Sequence, residues 1–311
     1  MGAKLMIFPG IVTLAEPASK TYDYIIVGSG AGGIPPADRL SEAGKSVLLI
    51  EKGPPSTGRW GGGAMKLDWF VTTMPTRFDV PGLCNQSWVD PVGVSCTDVD
   101  QMAGCVLGGG TAVNAGLWWK PHPADWDINF PAGWQSKDMA NFTERVFSRI
   151  PGTTMPSMDG KRYLSQGVDM LGGSLGKAGW KFIVPKDHPK QKHRTYGHST
   201  FMYSGGERGG PLATYLVSAS SRKNFTLWTH TVAKRVVRTG GHATGVEVEC
   251  NEGGHAGVVS VTPNTGRVIL AAGTPIPDDK EKYLANRTGL LAQAAPNIGP
   301  ILTDLDEVTL G

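Results

Sequence analysis

Short apolar runs alternate along the chain with long polar, glycine-rich stretches. Residues 24–27 (YIIV) form a β-rich run, and residues 46–50 (SVLLI) form a second buried-type run closed by Glu51. Between them, residues 37–43 have helical composition and stop at Gly44. The pattern predicts strand, helix, strand. Further strand candidates are residues 225–228, 235–238, 245–249 and 267–271. The last runs to Gly273, after which TPIPDDKEKY passes through two prolines into a charged, helix-like run. No apolar run approaches the ~20 residues that a membrane span needs, so no membrane partner is expected. No internal repeat or low-complexity segment breaks the chain.

At 311 residues the chain is long enough for one or two domains with a large core. Its 43 glycines imply many tight turns and close backbone approaches rather than long helices. The net charge is +3 and the basic residues are scattered. The densest basic stretch, residues 186–194 (KDHPKQKHR), reads as a solvated loop, so no nucleic-acid partner is expected. The four cysteines, Cys84, Cys96, Cys105 and Cys250, lack metal-site spacing, and no metal is expected. Cys84 and Cys96 flank a turn-rich segment and can bridge in a secreted protein. Cys105, in a glycine-rich apolar stretch, reads as a small buried residue. The N-terminus combines Lys4, a short apolar core broken by Pro9 and Gly10, and a conceivable cleavage point at Ala15. A weak secretory signal and an irregular tail are both open readings. Sequons at Asn85, Asn141, Asn224 and Asn286 lean towards an extracellular location.

The chemistry starts at Tyr22, in YDYIIVGSGAGGIPPADRLSEAGKSVLLIEKG. A strand runs directly into Gly28-Ser-Gly30-Ala31-Gly32-Gly33, a helix follows, and a second strand ends at Glu51. Gly28 permits the tight turn, Gly30 lets a pyrophosphate approach the backbone, and Gly33 lets the helix pack on the strand. The helix N-terminus offers free N–H groups to phosphate. Glu51 can accept hydrogen bonds from both ribose hydroxyls of an adenosine, and its charge repels a 2′-phosphate. Pro35 and Pro36 fall in the opening turns of the helix, where Pro36 is expected to cost a hydrogen bond or a bend. A second glycine-rich segment, residues 104–121 (GCVLGGGTAVNAGLWWKP), offers another close approach at Gly108, Gly109 and Gly110. Thr111 and Asn114 add polar side chains. Trp118 and Trp119 are either bulk beside a planar group or core packing.

These two segments resemble the glucose–methanol–choline (GMC) family of flavin oxidoreductases. Residues 104–127 look like its first signature and YDYIIVGSGAGG like its FAD-binding start. Residues 83–127 and 201–220 (FMYSGGERGGPLATYLVSAS) are similar to the flavin domain of ascomycete cellobiose dehydrogenases. The similarity runs from about residue 22 to 273, with a weaker return at 283–299. The resemblance implies an α/β fold, a Rossmann-like FAD-binding domain with an incomplete α+β substrate domain, and FAD as cofactor. It places Gly28, Gly30, Ala31, Gly32 and Gly33 along the pyrophosphate and Glu51 on the adenosine ribose. Gly109, Gly110, Thr111, Asn114, Ala115, Gly116 and Leu117 would follow the phosphates and flavin. Ala233 would offer backbone to adenine, and the strand ending at Gly273 would return to the cofactor.

The implied reaction oxidises a cellobiose-like sugar at the anomeric carbon to a lactone, by hydride transfer to flavin N5, with electrons passed to an acceptor. After Gly273 the family's second signature is not matched, and an internal deletion is expected there. The family's catalytic His region is not matched before Gly311, so none of the seven histidines is assigned as catalytic and turnover is expected to be impaired. No haem-ligand pattern precedes Tyr22, and no haem domain is expected. The expected organisation is a tail (1–20), a first FAD-domain part (21–150), a substrate-domain part (151–214), a second FAD-domain part (215–275) and a substrate-domain remnant (276–311). Two alternatives remain at this stage: a catalytically silent FAD-binding remnant or degraded-gene product, and an NAD-dependent dehydrogenase, which leaves residues 104–121 unexplained.

Overall fold

The structure, a computed structural model, describes residues 20–62, 75–83, 94 and 103–273. The N-terminal segment, Cys84, Cys96, the sequons at Asn85 and Asn286 and the tail after Gly273 lie outside the described residues.

The centre is a parallel sheet. Strand β1 (Thr21–Tyr22) leads into β2 (Tyr24–Val27), helix α1 (Ile34–Glu42) and β3 (Val47–Ile50). Strands β8 (Phe225–Trp228) and β12 (Arg267–Leu270) complete it in the order β12-β2-β3-β8, all parallel. Every residue of β3 and the last three of β2 are buried. That is how a parallel strand reads when both of its faces are covered.

The covers differ. Ile25, Val27, Leu48 and Ile50 pack against Val246, Val248, Val259 and Val261 of a second sheet. This sheet, ordered β1-β11-β10-β9, is a meander of β9 (Thr231–Thr239), β10 (His242–Cys250) and β11 (Gly257–Val261), with β1 added in parallel. It forms the connection from β8 to β12. On the other face Ile26, Val47 and Leu49 meet Ile34, Ala37 and Leu216. The alternation of side chains along each strand thus divides one apolar run between two cores.

Helix α1 buries Ile34, Ala37, Asp38 and Ser41, one stripe at helical spacing. Pro35 and Pro36 fall in its first turn, after Gly33 at the cap. There the N–H groups have no intrahelical acceptor, so neither proline costs the bond expected from sequence. The helix ends as Gly44 N–H donates to Ser41 O and Lys45 N–H to Leu40 O, with Gly44 at φ +80°.

The rest of the chain is built from smaller pieces. They are α2 (Gly110–Val113), α3 (Pro123–Asn129), α4 (Ser136–Arg149) and α5 (Gln166–Lys177), then α6 (Gly210–Ala213) and α7 (Tyr215–Ser220). Between α5 and α6 lie two small sheets, β4 (Lys181–Phe182) with β5 (Thr195–Tyr196), and β6 (Tyr203–Ser204) with β7 (Glu207–Arg208). Trp118 stacks on Phe147 and donates its indole N–H to Ile150 O at 2.9 Å, so it is core packing; Trp119 is exposed. Cys105 is half-buried and disulfide-bonded rather than a small buried thiol, and its partner lies outside the described residues. Among the described residues no helix is long and apolar enough to cross a membrane, and no cluster of His, Cys, Asp or Glu is arranged to hold a metal ion.

Candidate functional site

The sheet reverses its order between β2 and β12: β3 and β8 follow on one side of β2, and β12 lies on the other. In an open α/β sheet that crevice, beyond the C-terminal ends of the strands, is where a ligand binds. Gly28 sits there because nothing larger fits. A Cβ on it would lie 2.5 Å from Ala271 O, and its φ is +98°. Gly33 is equally closed, since a Cβ would meet Gly28 O at 1.9 Å. Gly30 is different: a Cβ there would meet nothing within 4 Å. Packing within the described protein therefore accounts for the first and third glycines of the turn and not for the second. Ala31 and Gly32 beside it are exposed. Gly33 and Ile34 both donate to Gly30 O, which folds the turn so that the chain enters α1 directly.

The second glycine-rich segment docks onto this turn. A Cβ on Gly109 would lie 3.3 Å from Gly30 Cα, so the two backbones touch through glycine alone. Ser29, fully buried, links three elements. Its hydroxyl donates to Glu51 Oε2 at 2.5 Å and accepts from Gly108 N–H at 2.9 Å, and its own N–H donates to the same carboxylate oxygen. Gly53 N–H donates to Glu51 Oε1 at 2.9 Å. A carboxylate has about four acceptor positions. Three are taken by described residues, and the open position, on Oε1, is available to a ribose hydroxyl. Around Glu51 the backbone is held by Glu51 N–H to Trp228 O and Thr231 N–H to Glu51 O. The Trp228 ring stacks on His255 at 4.0 Å.

Other sequence-selected positions spread out from this centre. Thr111, in α2, turns its hydroxyl back to Gly108 O, just before the helix. Asn114 and Ala115 are exposed, Gly116 is buried, and Leu117 is exposed and bridged to Phe201. Ala233 lies on β9 opposite Val248, packed against the core shared with the meander, two residues past the Thr231 that touches Glu51. Gly273, at φ +102°, follows the Ala271–Ala272 corner against which Gly28 is packed. Of the histidines, His122 caps α3, His198 packs edge-on to Phe182, and the backbone N–H groups of His230 and His255 donate to Gly53 O and Thr231 Oγ1 near Glu51.

Sequence reasoning passed over two residues that hold the site together. Ser29 is the variable position of the glycine motif. Arg208, quoted above as part of GGERGG, is buried and donates to Phe78 O, Thr111 O, Asn114 O and Asn114 Oδ1.

The GMC oxidoreductase sequence profile matches residues 22–276. The chain belongs to the GMC oxidoreductase family. An oxygen-dependent choline dehydrogenase of Photobacterium profundum is 30% identical over 276 residues, covering 82% of this chain and 45% of that protein. The chain spans about half the length of the curated relatives it matches. In fold it is similar to an FAD-dependent oxidoreductase from Chaetomium thermophilum, with TM-score 0.57, 20% identity, and coverage of 81% of this chain and 46% of that one. A formate oxidase of Aspergillus oryzae gives TM-score 0.56 at 17% identity, over 80% and 45% of the two chains.

FAD is the cofactor that membership of the GMC oxidoreductase family indicates, and the residues present fit it. The open side of Gly30 is a cradle that a Cβ would fill, bordered by Gly109 and by the exposed turn residues Ala31 and Gly32. Glu51, oriented by Ser29 and Gly53, keeps one acceptor position for the adenosine ribose.

Proposed function

We propose that this GMC chain carries the FAD-binding part of an oxidoreductase acting on the CH–OH carbon of a cellobiose-like sugar. The sugar hemiacetal would lose two electrons and two protons to become the lactone, and the electrons would pass to an external acceptor. FAD supplies the two-electron acceptor for that oxidation. The chain's own residues bind and orient it: Gly30, Ala31 and Gly32 along the pyrophosphate, Glu51 at the ribose, Ala233 backbone at adenine, and residues 109–117 along the phosphates and flavin. The observation that carries this reading is the apposition of Gly109 and Gly30, with the Cβ position of Gly30 open on its other side. The sugar rests on the resemblance of residues 83–127 and 201–220. The curated relatives named above are choline dehydrogenases.

An extracellular location belongs to the same proposal. The sequon Asn141 is exposed on α4, which supports it. Asn224, by contrast, donates its amide to Ser41 O at 2.8 Å and Lys45 O at 2.7 Å and is a structural asparagine.

One observation favours a second reading, a silent FAD-binding protein. All seven histidines lie outside residues 104–117, and those just described are engaged in capping, ring packing or turns. Both readings are tested on the purified chain with Gly30→Ala beside it. The substitution is expected to leave the melting temperature unchanged and to weaken FAD binding about tenfold or more, because the new methyl enters only the ligand's space. Unchanged FAD affinity removes Gly30 from the pyrophosphate. Anaerobic cellobiose, compared with choline, then separates the readings. Bleaching of the flavin band by cellobiose supports sugar oxidation, bleaching by choline alone replaces the sugar with an amino alcohol, and a retained, unresponsive flavin supports the silent protein.

A further inference from the structure

The segment between Gly108 and Asn114 is anchored at both ends. At its start, Gly108 N–H is tied through the Ser29 hydroxyl to Glu51. At its end sits Arg208, on β7 of a hairpin that turns through Gly205 and Gly206, both at positive φ. Its Nε donates to Phe78 O at 2.7 Å, one terminal nitrogen to Asn114 Oδ1 at 2.9 Å and Thr111 O at 3.3 Å, and the other to Asn114 O at 2.8 Å. The backbone N–H of Arg208 donates to Asp79 O at 2.8 Å, and its guanidinium lies 5.3 Å from the Tyr203 ring centroid. Tyr203 in turn packs so closely on Gly116 that a Cβ there would lie 2.4 Å from the ring.

We propose that Arg208 is a positioning residue for the cofactor, a planar fork that fixes the Asn114 peptide and side chain and thereby sets the segment at residues 114–117. This rests on the reading that the same segment runs along the flavin. The argument is geometric. Oxygens of Phe78, Thr111 and Asn114 converge on one side chain from two separate stretches of the chain, and only a guanidinium presents donors in enough directions to serve them together. A lysine ammonium at the end of a flexible stem serves a single point. Removing the fork frees the C-terminal end of α2, whereas the Ser29 anchor at its other end remains.

The experiment compares the unaltered chain with R208K and R208A by hydrogen exchange without added flavin, by FAD titration, and by the visible circular dichroism of the bound flavin. The positioning role predicts faster exchange confined to residues 108–117, with β2 and β3 still protected. It also predicts FAD binding weakened about tenfold, on the order of one lost charge-assisted hydrogen bond, with an altered flavin dichroism in the lysine variant. Exchange and dichroism unchanged in R208K overturn the role. So does faster exchange spread evenly over the sheet, which marks a residue that only supports the fold. Should R208A not fold, R208K decides alone. Should the unaltered chain take up no FAD, the flavin reading of residues 114–117 fails, and the exchange pattern still decides whether Arg208 holds them.

Discussion

Ile25, Leu48 and Leu49 of the parallel sheet are fully buried, whereas Met158, Leu164 and Met170 are 77%, 90% and 77% exposed. These side chains are similar in size and polarity and differ in what their elements have to pack against. The sheet is covered by α1 and α7 on one face and by the meander on the other. Helix α5 buries only Gly172, and α4 buries no residue fully. Apolar character by itself therefore says little about contribution to stability here; a covering layer on each side decides it. The parallel sheet and its two covers are therefore expected to contribute more to stability per apolar residue than α4 and α5, whose apolar side chains are largely exposed.

The largest test of this contrast is Leu49→Ala. It removes side-chain volume from the core beneath α1 and is expected to cost about 3–5 kcal/mol, read as a lower urea midpoint. A loss below about 1 kcal/mol would mean that the sheet core is not where the stability resides. Next is Asp38→Ala. The buried carboxylate of Asp38, on α1, accepts from Arg149 at 3.0 Å and Arg222 at 2.7 Å, joining α4 and the approach to β8 to the sheet's helical cover. A loss of about 3 kcal/mol is expected, at the lower end for a broken buried pair because both arginines are partly exposed. The smallest effect is that of Leu171→Ser, since Leu171 is exposed on α5: stability should stay within about 0.5 kcal/mol, while binding of an apolar dye falls. A cost as large as that of Leu49→Ala would erase the distinction between the two regions.

A pH test extends the same comparison to His198, which packs edge-on to Phe182. Burial holds His198 below its ordinary value of 6.5, with the Arg162 charge adding to the effect and Asp169 opposing it. The unfolded chain then takes up this proton at higher pH than the folded one. Its contribution is complete above pH 6.5 and is lost as the pH falls below that value. His198→Gln should flatten this part of the acid limb in urea titrations, leaving the remainder unchanged.

The nucleotide turn was legible because its chemistry is local. Gly28, Gly30, Gly33 and Glu51 stand at fixed spacing across one strand–helix–strand unit, and the strands at 24–27 and 225–228 fall where expected. Ser29 and Arg208 were not legible as site residues. Ser29 reaches Gly108 across 79 positions and Arg208 reaches Asn114 across 94, and such pairings leave no periodic trace in a single sequence. β11 was missed for a related reason, since GVVSV is short and becomes a strand by pairing with β10 and β1. The expected cost of Pro36 does not arise, because the helix starts at Ile34 with Gly33 as its cap, which leaves both prolines in the first turn, where no intrahelical acceptor is waiting.

Strand β2 lies near the start of the described chain, yet one of its two neighbours is β12, almost at the end. The hydroxyl of Thr262 meets the carboxylate of Asp23 across 239 positions, at the same seam. During synthesis, β2, α1 and β3 emerge long before β12, so the edge of β2 waits with its backbone unpaired and one apolar face uncovered until the meander and last strand arrive. The crevice that receives the nucleotide is consequently among the last features to close. Folding must be slow relative to a chain of local contacts, and its early species depend on protection from self-association for as long as that edge stays open.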